Sequence, residues 1–344
     1  MKQRNINDDL IRVISVILVI SIHTWGRPWQ DNAWASAILL TIIYTCNTFF
    51  FMLSGKYNLR KEFNSPSDYL TYYKKKVPDI LLPYVILSFI LSGWNFYLQG
   101  LAESSGFGMF VKFAMKEFFS ENSSTHLWFM FLLLGYLLSA PFLSKMLHAM
   151  SDKELGILFG IGLAWNIVYY YLFMDFWHSF SYGGWILTGW IMYFVGGHYI
   201  DRVTASGDRK VIMSFYIAGL IGFIVNVVAS VLMAGSYFDP TGLAPAFMLF
   251  CAGAYVWFGR LPSIKNEIAV KVISFIAKHS FAIYLIQFHI ANNITPKIVT
   301  LEAGVIAFVA GICVTFVLSL AAAFVIDLVL APVKTGLKKL LRIC

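Results

Sequence analysis

The stretch DDLIRVISVILVISIHTWGRPW, residues 8–29, decides the fold class because it is an apolar run with ionisable residues near both ends. Arg12 stands near its start and His23 near its end, and the residues between them carry no charge. An apolar run of about 20 residues is long enough to cross a bilayer as a helix. Ionisable residues in such a helix are costly, and they usually face the protein interior or a watery cavity. The stretch therefore predicts a transmembrane helix with one functional face.

The composition extends this prediction to the rest of the chain. Of the 344 residues, 59% are hydrophobic and 13% are charged, whereas soluble domains carry about 25% charged residues. This balance predicts one integral membrane domain over residues 1–344 rather than two soluble domains. Asp8 and Asp9 at the start of the first apolar run argue against a cleaved signal peptide, so we expect a retained helix. The four cysteines follow no metal-ligand spacing, and we expect no metal.

Ten apolar segments follow one another, and most approach the ~20 residues that span a bilayer as a helix. They lie near residues 9–28, 34–54, 77–98, 126–147, 154–174, 181–200, 211–233, 243–259, 271–293 and 302–332. The predicted fold class is an all-α polytopic membrane protein, a bundle of about ten transmembrane helices. A further stretch, residues 106–120, places Lys112 and Lys116 four apart among aromatic residues. It predicts a helix lying in the membrane interface.

The loop charges predict the orientation of the bundle. Cations are concentrated at the two termini and in alternate loops, and the intervening loops contain few. The second loop contains six of them: Lys56, Arg60, Lys61, Lys74, Lys75 and Lys76. Cytoplasmic loops are enriched in Lys and Arg. This alternation therefore predicts a protein of the cell (inner or plasma) membrane with both termini in the cytoplasm. The net charge of +8 is then explained by orientation, and we expect no nucleic-acid partner.

Arg12 and His23 share one face of the first helix. Eleven residues correspond to about 16–17 Å of rise and about 1100° of rotation, which is close to three full turns. The predicted orientation puts Arg12 near the cytoplasmic surface and His23 near the outer surface. Each residue also has a purely structural interpretation. Arg12 could be a snorkelling cation at the helix end, and His23 could be a polar residue bonded to a neighbouring helix.

The first helix resembles that of the acyltransferase type 3 family of membrane O-acyltransferases, which opens with an arginine, ten residues and a histidine. Four further motifs follow in the family's order: FFFMLSGKYNL, YYKKKVPDILLPYVI, THLWFMFLLLGYLLSAP and IAKHSFAIYLIQFHI. The resemblance covers nearly the whole chain and is greatest to bacterial enzymes that acylate surface glycans. Three residues depart from the family pattern: Val13 replaces a glycine, Asp79 falls in the basic stretch, and Gln287 replaces a late histidine. His289 comes two residues later, about 200° away on a helix.

The resemblance implies transfer of an acyl group, by default acetyl, from acyl-CoA (acetyl-CoA) to a hydroxyl of a glycan or a lipid-linked sugar. A histidine near pH 7 is suited to remove the hydroxyl proton, so His23 is the candidate general base. A covalent acyl-histidine is a variant that stays open. Arginine makes bidentate contacts to phosphate, so Arg12 is the candidate anchor for the coenzyme. The first helix would then set the distance between phosphates and thioester.

Further candidate residues are assigned by type and depth. His126 is a second catalytic candidate; Ser54, Arg60, Lys75 and Lys76 are cofactor-binding candidates; Trp128, Ser280 and Tyr284 are substrate-binding candidates. Helix packing, helix capping and positive-inside charge are the structural alternatives for these residues. Trp185 is another tryptophan that could stack on a sugar, and Asn47 and Asn226 are interpreted as buried amides that join helices.

Two other functions compete with an enzyme. A non-catalytic polytopic transporter or exporter of glycan or lipid-linked precursor would also need many helices, but it should show internal repeats or charges deep in several helices. We find no repeat and few such charges. A membrane sensor or scaffold would be expected to carry a soluble binding domain, and none is evident.

Overall fold

The computed structural model describes residues 5–24, 32–101, 106–119, 126–168, 170, 189–234, 241–300 and 304–343, which are mainly helical and contain no β-strand. The helices are α1 (Ile6–His23), α2 (Ala33–Ile43), α3 (Thr45–Leu59), α4 (Pro66–Lys76), α5 (Leu82–Leu98), α6 (Phe107–Phe119), α7 (Trp128–Ala149), α8 (Asp152–Ile167), α9 (Ile191–Thr204), α10 (Arg209–Leu232), α11 (Pro245–Gly259), α12 (Glu267–His289), α13 (Thr295–Ile298) and α14 (Val305–Leu340). Wider π-helical turns at Val77–Leu81 and Ile290–Ile294 join α4 to α5 and α12 to α13.

Several helical stretches have the length and hydropathy of membrane spans. Among the described residues there are six: Ala33–Leu59, Pro66–Leu98, Trp128–Ala149, Arg209–Leu232, Glu267–Ile298 and Val305–Leu340. Over the described residues, the prediction of a helical, multi-pass membrane protein is therefore confirmed. Helix α1 is not among these six stretches, so its role as a span, the count of ten spans and the cytoplasmic termini stay predictions. Parts of the first, fifth, sixth and tenth apolar segments lie outside the described residues. The helix predicted near residues 106–120 is present as α6.

Helix α1 lies inside the bundle, where it packs against α2, α3, α11, α12 and α14. It begins after Asn5, whose side chain caps the helix by accepting a hydrogen bond from the Asn7 N–H. Ile11, Val16 and Ile20 on this helix are fully buried. Since neighbouring helices surround α1, its ionisable residues face protein and cavities rather than lipid, as the cost of exposing charge to lipid requires.

The beginning of α1 meets the ends of α3, α9 and α11. The Asn7 amide donates to the carbonyl oxygens of Gly259, at 3.2 Å, and of Leu261, at 2.8 Å. Lys56 on α3 bridges Asp8 on α1 and Asp201 on α9, with N–O distances of 3.1 Å each. We call this end of the bundle the Arg12 side and the opposite end the His23 side.

Two glycines allow α3 and α9 to pack with their backbones in contact. A Cβ added to Gly197 would lie 1.9 Å from the Met52 carbonyl oxygen, and one added to Gly55 would lie 1.6 Å from the Phe194 carbonyl oxygen. Small residues permit such close helix approach inside membranes. The motif residue Gly55 therefore fixes α3, the helix that carries Ser54 and the second basic loop, against α9.

Replacing Gly197 with alanine should destabilise the protein by about 1–3 kcal/mol, because the added methyl group forces two backbones apart. Thermal unfolding of the purified chain in detergent would measure the change. Gly135→Ala on α7 is the matched control, since a Cβ there meets nothing within 4 Å. Equal unfolding temperatures for the two variants would contradict the close-packing argument.

Candidate active site

Three cavities lie in series between the Arg12 side and the His23 side. The basic vestibule, about 760 Å³, is lined by Arg60, Lys61, Lys75, Lys76 and Tyr72 among others. The middle cavity, about 260 Å³, is lined by Arg12, Ser54 and Ser280 among others. The outer cavity, about 390 Å³, is lined by His23, His126 and Trp128 among others. Tyr57 and Asn58 line both the vestibule and the middle cavity, and Tyr284 lines both the middle and the outer cavity.

The two candidate catalytic histidines meet in the outer cavity. His23 ends α1, and His126 precedes α7; their ring centroids are 6.2 Å apart. Both rings contact Phe288 on α12, His23 edge-on at 5.0 Å between centroids and His126 stacked at 4.7 Å. Phe288 thus holds both imidazoles in place. Sequence reasoning missed Phe288, because one phenylalanine among 31 carries no signal of its own.

His126 is joined to α12 by two hydrogen bonds, one from its ring and one to its own carbonyl oxygen. Its Nε2 lies 3.1 Å from the Leu285 carbonyl oxygen, and a carbonyl can only accept, so Nε2 carries the hydrogen. In the neutral ring this leaves Nδ1 as the acceptor, and Nδ1 has no hydrogen-bond partner among the described residues. The His126 carbonyl oxygen accepts a hydrogen bond from the Tyr284 hydroxyl. His126 therefore has one tautomer and one orientation.

Aromatic and polar side chains complete the outer cavity. Trp128 and Trp190 lie side by side, with ring centroids 4.8 Å apart, and Tyr44 also lines the wall. Asn47 lines the cavity too, and its Oδ1 has no partner among the described residues. The cavity therefore offers flat apolar faces together with a polar group, a combination typical of small-molecule binding sites.

The two amides interpreted as helix contacts differ in position. Asn226 on α10 does join helices, because its amide donates to the Thr41 hydroxyl on α2 at 3.0 Å. Asn47 instead belongs to the outer cavity. Trp190 was missed by the sequence reasoning, and the candidate Trp185 lies outside the described residues.

Arg12 is held by a buried carboxylate. Its Nη1 lies 2.7 Å from Oδ1 of Asp9, which is 0% exposed, and Ser274 donates to the other Asp9 oxygen at 3.3 Å. The guanidinium carbon also lies 5.3 Å from the centre of the Tyr57 ring. Asp9 was missed as a site residue, although acid–base pairs three residues apart on a helix are a recognisable pattern.

Ser280 lies with Arg12 in the middle cavity rather than with Trp128 in the outer one. Its hydroxyl donates to the Ala277 carbonyl oxygen at 2.9 Å, so its hydrogen is already used within α12. Ser54 lines the same cavity. The sequence grouped Ser280 with Tyr284 because they are four residues apart, and the structure shows that only Tyr284 reaches both cavities.

The vestibule gathers the cations that the sequence assigned to cofactor binding. Lys76 lies 2.6 Å from Oδ1 of Asn58 and 5.0 Å from the Tyr72 ring centre, and Arg60 lies over the Tyr57 ring at 5.3 Å. Lys75 lines the same wall. Glu62 and Asp68 also line this cavity, but cations outnumber them. Clustered cations around a cleft attract anionic ligands.

Gln287, which stands where the family often has histidine, is fully buried. Neither atom of its amide has a hydrogen-bond partner among the described residues. The neighbouring His289 contacts His126 edge-on, with ring centroids 5.9 Å apart. Neither Gln287 nor His289 is among the described residues that line the outer cavity. His289 thus packs against His126 without lining the cavity, and His23 and His126 are the described histidines that line it.

Comparison with known families gives a match over almost the whole chain. The model of an acyltransferase domain family, the type 3 family, matches residues 6–324. Comparisons with curated proteins and with solved structures found no match. The matched range contains all three cavities and every candidate residue named above. The chain therefore belongs to the acyltransferase type 3 family of membrane acyltransferases.

Proposed function

We propose that this membrane acyltransferase moves an acyl group, by default acetyl, from acyl-CoA to a hydroxyl of a glycan or a lipid-linked sugar. The observation that carries the proposal is the series of three cavities, with cations at one end and two histidines at the other. A long, thin donor that is anionic at one end and reactive at the other matches this arrangement.

The donor side of the proposal depends on the vestibule and the middle cavity. Arg60, Lys75 and Lys76 would bind the phosphates of the coenzyme by charge-assisted hydrogen bonds, with Arg12 further along the same path. Arg12 and His23 are separated by about 16–17 Å along α1. This length suits an extended arm that places its thioester near His23 while the phosphates stay among the cations.

The acceptor side depends on the outer cavity. Its volume of about 390 Å³ falls within the usual range of small-molecule sites, about 300–1,000 Å³. Trp128 and Trp190 would stack against the apolar face of a sugar ring. Asn47 would hydrogen-bond to a sugar hydroxyl, which would also satisfy its buried oxygen.

His23 acts as the general base. It takes the proton from the acceptor hydroxyl while the hydroxyl oxygen attacks the thioester carbonyl carbon. The carbon–sulfur bond then breaks, and the departing thiolate recovers the proton from His23. General bases of this kind contribute about 100- to 10,000-fold in rate. His126, fixed in one tautomer by Leu285, orients the acceptor or His23.

The predicted topology gives each substrate its own side. If ten helices cross a cell membrane with both termini in the cytoplasm, the vestibule opens toward cytoplasmic acyl-CoA. The outer cavity then opens toward the outer surface or outer leaflet, where glycans and lipid-linked sugars are found. A transporter is the less favoured function, because the chain belongs to an acyltransferase family and Tyr284 separates the cavities.

A radiochemical assay tests the function directly. The purified full chain, given acetyl-CoA labelled in the acetyl group and a mixture of oligosaccharides, should release free coenzyme A and place label in an alkali-labile ester. The heat-unfolded chain is the control. A folded chain that binds acetyl-CoA but neither transfers nor hydrolyses the acetyl group would contradict the proposal.

A further inference from the structure

Tyr284 forms the wall between the middle cavity and the outer cavity. Of the described residues that line the two cavities, Tyr284 alone is common to both, and it is 3% exposed. We propose that Tyr284 is a movable septum, which keeps donor and acceptor apart until the acyl group passes. The inference rests on the proposed function, and it assigns to Tyr284 a gating role in addition to substrate contact.

The closed position of the septum is held from several helices. The Tyr284 hydroxyl donates to the His126 carbonyl oxygen at the start of α7. Its ring contacts Phe129 on α7, with centroids 5.2 Å apart, and Phe50 on α3, with centroids 6.1 Å apart. The side chain thus reaches from α12 across to α7 and α3, and its ring closes the passage between the cavities.

The ring has space to move on both sides. The middle cavity and the outer cavity adjoin it with volumes of about 260 and 390 Å³. Among the described residues, the hydroxyl makes one hydrogen bond, to the His126 backbone carbonyl, and losing a single bond of this kind is a small cost relative to binding a large substrate. Rotation of the side chain therefore opens the passage without moving a helix.

The septum has a chemical purpose. Arg12 lies on one side of Tyr284 and the two histidines lie on the other. While the septum is closed, a thioester in the middle cavity stays away from water in the outer cavity, and it reaches His23 only when the septum opens. Excluding water protects a reactive group from hydrolysis before the acceptor arrives. Opening also breaks the bond to His126, so passage of the acyl group is linked to the residue that orients the acceptor.

Thiol labelling tests the septum without any need for activity. In the full chain with its four cysteines replaced by alanine, Ser54→Cys places a thiol in the middle cavity. Sealed vesicles of both orientations are treated with a membrane-impermeant anionic methanethiosulfonate, whose charge suits the cations of the vestibule. The introduced thiol should react only when the Arg12 side is exposed. Adding Tyr284→Ala should raise its labelling rate from the His23 side at least about tenfold, since the wall between the cavities is removed.

Matched variants distinguish loss of the septum from a general loosening of the helix bundle. Tyr84→Ala removes a ring that is 1% exposed and lines neither cavity, and it should leave the labelling pattern unchanged. If Tyr284→Ala does not fold, Tyr284→Leu keeps an apolar side chain at this position and still removes the ring that separates the two cavities. Labelling from the His23 side that is already fast without a Tyr284 change, or that stays slow in the folded Tyr284 variants, would overturn the septum.

Hydrolysis of acetyl-CoA gives a second readout. Without an acceptor, Tyr284→Ala should release free coenzyme A about tenfold faster than the unmodified chain, because water reaches the thioester. An unchanged rate of hydrolysis in Tyr284→Ala would count against the septum. If neither protein acts on acetyl-CoA, the proposed function fails, and the labelling experiment still decides the septum by itself.

Discussion

Replacing His23 with alanine should lower acyl transfer by about 100- to 10,000-fold, the range expected when a general base is removed. The acceptor hydroxyl would keep its proton, because His126 in the same cavity orients the acceptor or His23 in the proposed mechanism and does not take the proton. Affinity for acetyl-CoA should change little, because Arg12 and the vestibule cations are untouched. Initial rates with labelled acetyl-CoA and a binding titration on the same preparation would measure both quantities.

Another histidine supplies the control for this experiment. His148 on α7 is exposed and lines none of the three cavities, so His148→Ala should keep normal turnover. His126→Ala should show a smaller loss than His23→Ala, because it orients rather than accepts the proton. Full activity in folded His23→Ala would remove His23 from the mechanism.

Replacing Arg12 with alanine should raise the KM for acetyl-CoA by about 10- to 100-fold, because hydrogen bonds to charged groups contribute about 1.5–3 kcal/mol. The value of kcat at saturating donor should fall much less, since His23 and the outer cavity are intact. Arg12→Lys should recover part of the affinity, because lysine keeps the charge but not the bidentate geometry. Steady-state kinetics over a range of acetyl-CoA concentrations would separate the two constants.

The control for Arg12 is an exposed arginine of the same charge. Arg209 lies at the start of α10, and Arg209→Ala should leave KM unchanged. Asp9→Asn should raise KM by a smaller factor than Arg12→Ala, because the guanidinium stays but loses the carboxylate that positions it. A drop in kcat without a change in KM for Arg12→Ala would mean that Arg12 acts at the chemical step instead of in donor binding.

Much of the candidate site could be predicted from the spacing and the types of its residues. Arg12 and His23 were recognised from one helix face, and the structure places them in the middle and outer cavities that Tyr284 separates. His126 was paired with His23 by depth, and the two rings do meet. Local rules sufficed here because helix geometry fixes which residues share a face and how far apart they lie.

Other site residues could be identified only from contacts between distant parts of the chain. Phe288 contacts both histidines, Trp190 lies against Trp128, and Asn47 lines the outer cavity. In a chain with 31 phenylalanines and 10 tryptophans, aromatic residues are common on lipid-facing and buried surfaces alike. No periodicity distinguishes those that line a cavity, so packing alone identifies them.

The sequence by itself determined the membrane class, the helical fold and the Arg12–His23 face, because hydropathy, helix period and residue order are local properties of the chain. Only the tertiary structure decided that α1 is packed against five helices, that Asp9 holds Arg12, and that three cavities follow one another in series. It also decided that Tyr284 stands between two of them. The physical reason is that cavities and septa are formed by side chains from several helices, whose relative rotation and depth are set by close packing at positions such as Gly55 and Gly197.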